Sequence, residues 1–182
     1  MKMKNISIYE EIFGAVDGEV EDLGSDADDD KLKSMSLKFE SKVPNLEDMC
    51  YIMEKVLLRE PSNAVVYAGF QKVSRARDIW DRYQDIADNV EQIYLFGEND
   101  DDLPGHENID FVYLPSGHQL KREWFLVVDK DIGSTMMVAY DQDGFGVEDL
   151  KEDRNFKGAK TSRPEHVEKA VELLEEVRED LS

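Results

Sequence analysis

The run Ala64, Val65, Val66, Tyr67, Ala68, Gly69, Phe70 is the feature that most limits how this chain can fold. It is short, β-branched and apolar at successive positions, so it suits a strand covered on both faces rather than a solvent-facing edge. Directly after it, Val73, Ala76, Ile79, Trp80, Tyr83, Ile86, Ala87 and Val90 recur at spacings of three and four. That is the wide apolar stripe of a packed helix. A further strand is expected from Gln92 to Phe96, and right-handed crossover makes the strand, helix, strand unit a parallel pair.

The remaining elements are arranged around this unit. Ser7 with Glu10 is a capping-box signature, and Ile8, Tyr9, Ile12, Phe13 and Val16 fit a short helix behind it. Asp17 to Asp30 is crowded with acid and offers little to bury, which predicts a mobile loop. Alternation from Leu37 to Val43 reads as a half-buried edge strand. Asn45 caps a helix whose stripe is Leu46, Met49, Ile52, Met53, Val56 and Leu57, and Glu60-Pro61 ends it. Short strands follow at Ile109 to Leu114, Glu123 to Val128, Thr135 to Tyr140 and Asn155 to Lys160, the middle two close enough for an antiparallel hairpin. Ser162-Arg163-Pro164-Glu165 then opens a last helix with Val167, Ala170, Val171, Leu174, Val177 and Leu181 on one stripe. The fold class expected is α/β bordering on α+β, a mixed parallel and antiparallel sheet with packed helices in a single domain. Residues 1–45 supply an N-terminal helix, acidic loop and leading strand, and residues 46–182 the core.

With 42 acidic against 22 basic residues, the net charge is −20, spread through helices and loops alike. Such a surface belongs to a generally acidic cytosolic protein or to one from a high-salt cytoplasm, and the evenness of the excess favours the salt-adapted, halophile-like reading. It argues against wrapping nucleic acid or lying on an anionic membrane. The single cysteine, Cys50, sits in a helical pattern and reads as packed. Apolar runs stay well short of the roughly twenty residues a membrane span requires, and no signal-peptide segment follows Met1. A cytoplasmic protein is expected.

Chemistry-bearing motifs are few. His106 and His118 occupy separate loops, and loop histidines are more often solvated than metal-bound, so no metal site is assigned. Taking Asp26, Asp28 and Asp30 as the first ligands of an EF-hand loop puts Lys31 where glycine is required and Leu37 where the closing glutamate belongs. Asp141-Gln142-Asp143-Gly144 reads as a turn. No nucleophile elbow or phosphate loop is present, and no catalytic residue is assigned. Two local exceptions to the acidity remain: Lys72, Arg75 and Arg77 after the central strand, and Lys157, Lys160 and Arg163 near the C-terminus. The first group either pairs with Asp78, Asp81 and Asp85 on the helix surface or faces the crevice beyond the carboxyl ends of the parallel strands, where open sheets bind ligands. Tyr67, Gln71, Lys72 and Arg75 should gather there as a ligand site, with Trp124 the next candidate, whereas Trp80 belongs to the core.

Tyr67-Ala68-Gly69-Phe70-Gln71, the Arg-bearing helix, and Ile93-Tyr94-Leu95-Phe96-Gly97 resemble the core of the DICT sensory domain. Glu123 to Val128, Met136 to Tyr140, and Asn155-Phe156-Lys157-Gly158 with Thr161 are similar to its second half, so the resemblance runs from about Leu46 to Leu174. It implies a sensory module of diguanylate cyclases and two-component systems, not an enzyme, with a suggested connection to light response and no established catalytic residues. The expected function is sensing a small anionic ligand or a partner and relaying the signal in trans to a histidine kinase or transcription regulator; the cofactor is unknown. The alternatives are an enzyme acting on an anionic small molecule at Lys72 and Arg75, and an interaction adaptor without a ligand.

Because the excess negative charges repel one another unless screened, thermal stability is expected to rise with potassium chloride. Melts whose midpoint stays constant from low to molar salt would remove the salt-adapted reading.

Overall fold

Among the described residues, eight strands form one sheet in the order β1-β2-β8-β7-β6-β3-β4-β5. They are β1 (Val20–Asp22), β2 (Ser36–Lys42), β3 (Val65–Lys72), β4 (Gln92–Glu98), β5 (Ile109–Tyr113), β6 (Glu123–Asp129), β7 (Thr135–Asp141) and β8 (Asn155–Thr161). The computed structural model describes residues 4–14, 20–22, 36–141 and 155–182. β3, β4 and β5 are parallel, and β6, β7, β8 and β2 continue from β3 as an antiparallel run, so the mixed α/β sheet is observed.

Double burial of the central strands explains their near-continuous apolar sequence. Val66, Ala68 and Phe70 of β3 face α2 (Val43–Arg59) and α3 (Trp80–Asn89), together with Leu126 of β6 and Met137 of β7. Val65 and Tyr67 face the other layer, formed by α1 (Ile8–Phe13) and α4 (Pro164–Asp180), with Phe125, Val127, Met136 and Val138. Gly69 lies opposite Phe125 in the antiparallel ladder. A Cβ there would come within 2.2 Å of the Phe125 ring, so the missing side chain is what lets the ring cross the strand.

Several expectations shift. The helix expected from Val73 to Val90 is a 3-10 segment, Val73–Ile79, followed by α3. Asp100 accepts from Ser74 N (2.9 Å) and Ser74 Oγ (2.5 Å), and Asp101 takes Arg77 Nε (2.7 Å) and Nη2 (2.5 Å), so the loop after β4 holds the first turns in the tighter winding. Helix α2 starts at Val43, with Pro44 tolerated in its first turn where the backbone N–H lacks a helical partner. Within the expected acidic loop, Val20–Asp22 pairs parallel with β2; backbone ladders form irrespective of side-chain charge, and the edge falls on β1 rather than β2. The rest of that loop, and the turn expected after Asp141, lie outside the described residues.

The N-terminal segment is tied down by a buried carboxylate. Glu123, fully buried at the start of β6, accepts from Ser7 Oγ (2.8 Å), Ile8 N (3.0 Å) and Tyr9 N (2.7 Å), while Ser7 Oγ accepts from Glu10 N as the capping box requires. His118 Nδ1 accepts from Leu120 N and its Nε2 lies 2.9 Å from the Lys4 carbonyl, and burial lowers its pKa. Burial pushes Glu123 up to about 7, against the hydrogen bonds from Tyr9, Ser7 and Ile8.

A carboxyl whose pKa is raised on folding favours the folded state at low pH, and that contribution disappears as pH rises from about 4.5 through 7, a change of about 3 kcal/mol. Urea unfolding across this window should therefore fall less steeply for Glu123→Gln than for the parent; parallel curves would refute the assignment. Gly69→Ala should destabilise by about 1–3 kcal/mol through overpacking against Phe125, read from the shift in urea midpoint.

Candidate functional site

The parallel strands end at a cleft between α2 and the Val73–Asn89 segment. Register slips between Gly69 and Lys72, and Gln71 takes φ 67°. A non-glycine residue in the left-handed region is held there at a cost of about 1–3 kcal/mol. Two-residue alternation would put Gln71 on the same face as Tyr67. The irregularity instead brings it beside Phe70, where its Oε1 accepts from Arg75 Nη1.

Here the chain encloses a cavity of about 600 Å³. Phe70, Gln71 and Trp124 of the sheet, Ser74, Arg75, Asp78 and Ile79 of the 3-10 segment, Arg82 of α3, and Glu47, Asp48, Cys50, Tyr51 and Glu54 of α2 line it. Trp124 meets Phe156 edge-on at 6.2 Å, which sets its ring as a wall. Glu54 is 1% exposed and its Oε1 lies 2.8 Å from Arg82 Nη2, joining α2 to α3. Burial raises the Glu54 pKa, opposed by the Tyr83 hydroxyl and by Arg82. Burial also raises the Cys50 thiol, with Glu54 adding to it, so the thiol is kept protonated and weakly nucleophilic. The Arg82 guanidinium and Lys55 Nζ each lie 4.8 Å from the Tyr51 ring centroid. The arrangement combines an apolar floor, two aromatic walls and charged groups of both signs, which suits binding a small molecule.

Of the residues singled out in the sequence, the structure brings Gln71, Arg75 and Trp124 together on this cavity. Tyr67 points into the opposite layer, where its hydroxyl donates to Glu175 Oε1 (2.6 Å) and burial raises its pKa. Lys72 ends β3 opposite Glu98, outside the lining. Arg77 pairs with Asp101 of the following loop rather than with an acid of its own helix. The second basic group also separates: Lys160 lines a recess of about 200 Å³ with Lys130, and Arg163 is the residue before α4. Trp80 stacks on Phe111 at 5.7 Å and donates to the Pro104 carbonyl, as a core residue. His106 lies 2.8 Å from Asp88 and accepts from Asn108 N, a loop-closing role. Among the described residues, no cluster of acidic, histidine and cysteine side chains could hold a metal ion, and no helix is long and apolar enough to cross a membrane.

Sequence reasoning missed Tyr51, Glu54 and Arg82. A signal was available for one of them: Glu54 follows Cys50 by four positions and sits between Met53 and Leu57, an acid inside a buried stripe.

Residues 31–142, well over half of the chain and including every cavity residue, match the family described as the sensory domain in diguanylate cyclases and two-component systems, DICT. No curated protein matches the chain. The crystal structure of polyphosphate kinase from Porphyromonas gingivalis is similar over 78% of this chain and 23% of that chain, at 12% identity and a TM-score of 0.48. The chain thus spans about a quarter of that kinase. By its extent, the family match makes this chain a member of the DICT family of sensory domains.

Proposed function

We propose that the chain senses a small molecule in the cavity between α2 and the Val73–Asn89 segment and passes the response, in trans, to a signalling protein such as a histidine kinase or transcription regulator. The observation that carries this reading is the coincidence of the cavity with Gln71, whose left-handed backbone and contact with Arg75 place local strain on the cavity wall. On its other side the same segment is tethered to the loop after β4 through Asp100 and Asp101. A ligand that shifts the wall therefore moves a surface loop that a partner can read.

The cations expected around an anionic ligand do not converge here: of Lys72, Arg75 and Arg77, only Arg75 lines the cavity, where its guanidinium contacts Gln71. The aromatic wall is the more general test. Native mass spectrometry of protein purified in high salt should show a retained small molecule. Trp124→Ala should weaken its binding by about 1.5–3 kcal/mol, about ten- to hundred-fold, because the indole no longer shields the ligand's apolar surface from water. Exposed Arg59, at the end of α2, serves as the control position for Arg59→Ala. Equal affinity for Trp124→Ala and the parent protein would sink this placement.

A further inference from the structure

Resting on the sensory reading above, we infer that the cavity takes a compact organic cation with a flat ring, whose charged end occupies the Glu54 carboxylate in place of Arg82. The Arg82 guanidinium already shows how such a group is received. It lies 2.8 Å from the buried Glu54 Oε1 and 4.8 Å from the Tyr51 ring centroid, so one carboxylate and one aromatic face converge on a single cation. Lys55 approaches the same ring at 4.8 Å, which marks the rim as attractive to positive charge. Tyr51 is 40% exposed and the Arg82 side chain 28%, so this end of the cavity is reached from solvent.

The rest of the lining points the same way. Asp48 and Asp78 add two further carboxylates to the lining. Across the whole molecule the charge of −20 concentrates cations and repels anions. Trp124 and Phe70 supply the apolar surface that a ring covers. Displacing Arg82 would release the ion pair that joins α3 to α2, which gives the ligand a different affinity for the joined and separated states, the requirement for a response.

Benzamidinium and its isosteric anion benzoate separate the possibilities by titration calorimetry and thermal shift on the full chain. Benzamidinium should bind the parent protein, and benzoate should not bind at the same concentrations. Glu54→Gln should weaken benzamidinium about ten-fold or more, the loss of a charge-assisted hydrogen bond. Arg82→Met should tighten it and enlarge its thermal shift, because the competing guanidinium is gone; this arm reads correctly even if Glu54→Gln folds poorly. Benzoate binding as well as benzamidinium, no binding of benzamidinium, or unchanged or weaker benzamidinium binding in Arg82→Met would each overturn the inference. Retention of a small molecule during purification bears separately on the sensory reading: a retained anion would keep the sensor and remove the cation.

Discussion

Everything in this fold depends on β3 being buried on both faces. A strand with Val66, Ala68 and Phe70 on one side and Val65 and Tyr67 on the other has no solvent face, so helices must cover both surfaces of the sheet. With parallel β4 on one side and antiparallel β6 on the other, β3 also joins the two halves of the sheet. The chain leaving it has to turn out of a crowded layer within a few residues, and the register shift between Gly69 and Lys72, with Gln71 at φ 67°, absorbs that turn. The candidate cavity lies where this departure leaves the backbone unable to fill the space between α2 and the 3-10 segment.

Charge is handled differently inside and outside. On the surface, acids are numerous enough that no single pair matters much, and exposed pairs contribute little each. Two of the carboxylates taken indoors, Glu123 and Glu54, hold elements together: Glu123 receives the first amides of α1, and Glu54 receives Arg82. Burial raises the pKa of both. One fastens the N-terminal segment to the sheet, and the other joins two helices across a cavity.

Much of the fold was readable because periodicity reports burial directly. The β3 run, the α4 stripe, the β6 and β7 hairpin and the Ser7 cap all follow from spacing and local chemistry. What was not readable depended on contacts between distant residues. The tight winding of Val73–Ile79 comes from Asp100 and Asp101, more than twenty positions later. Alternation alone puts Tyr67 and Gln71 on one side of β3, and only the irregularity after Gly69 separates them. In the same way, adjacency in sequence grouped Lys72, Arg75 and Arg77, whereas in the fold Arg77 pairs with Asp101 of the loop after β4 and Arg75 contacts Gln71. Trp124 could be nominated as an aromatic at a strand start, but its position on a wall with Arg75 required the β3 and β6 pairing.

The place of β2 bears on the order in which the molecule assembles. Its ladder with β8 pairs Ser36 with Thr161 and Lys42 with Asn155, so a strand made early finds its main neighbour only near the end of the chain. The β3, β4 and β5 unit has its partners nearby in sequence and can form while later residues are still being made. During synthesis, β2 must therefore remain unpaired on this side until β8 has left the ribosome. The negative charge crowded between residues 17 and 30 would then guard an open strand, since like-charged nascent chains repel one another before their edges can meet.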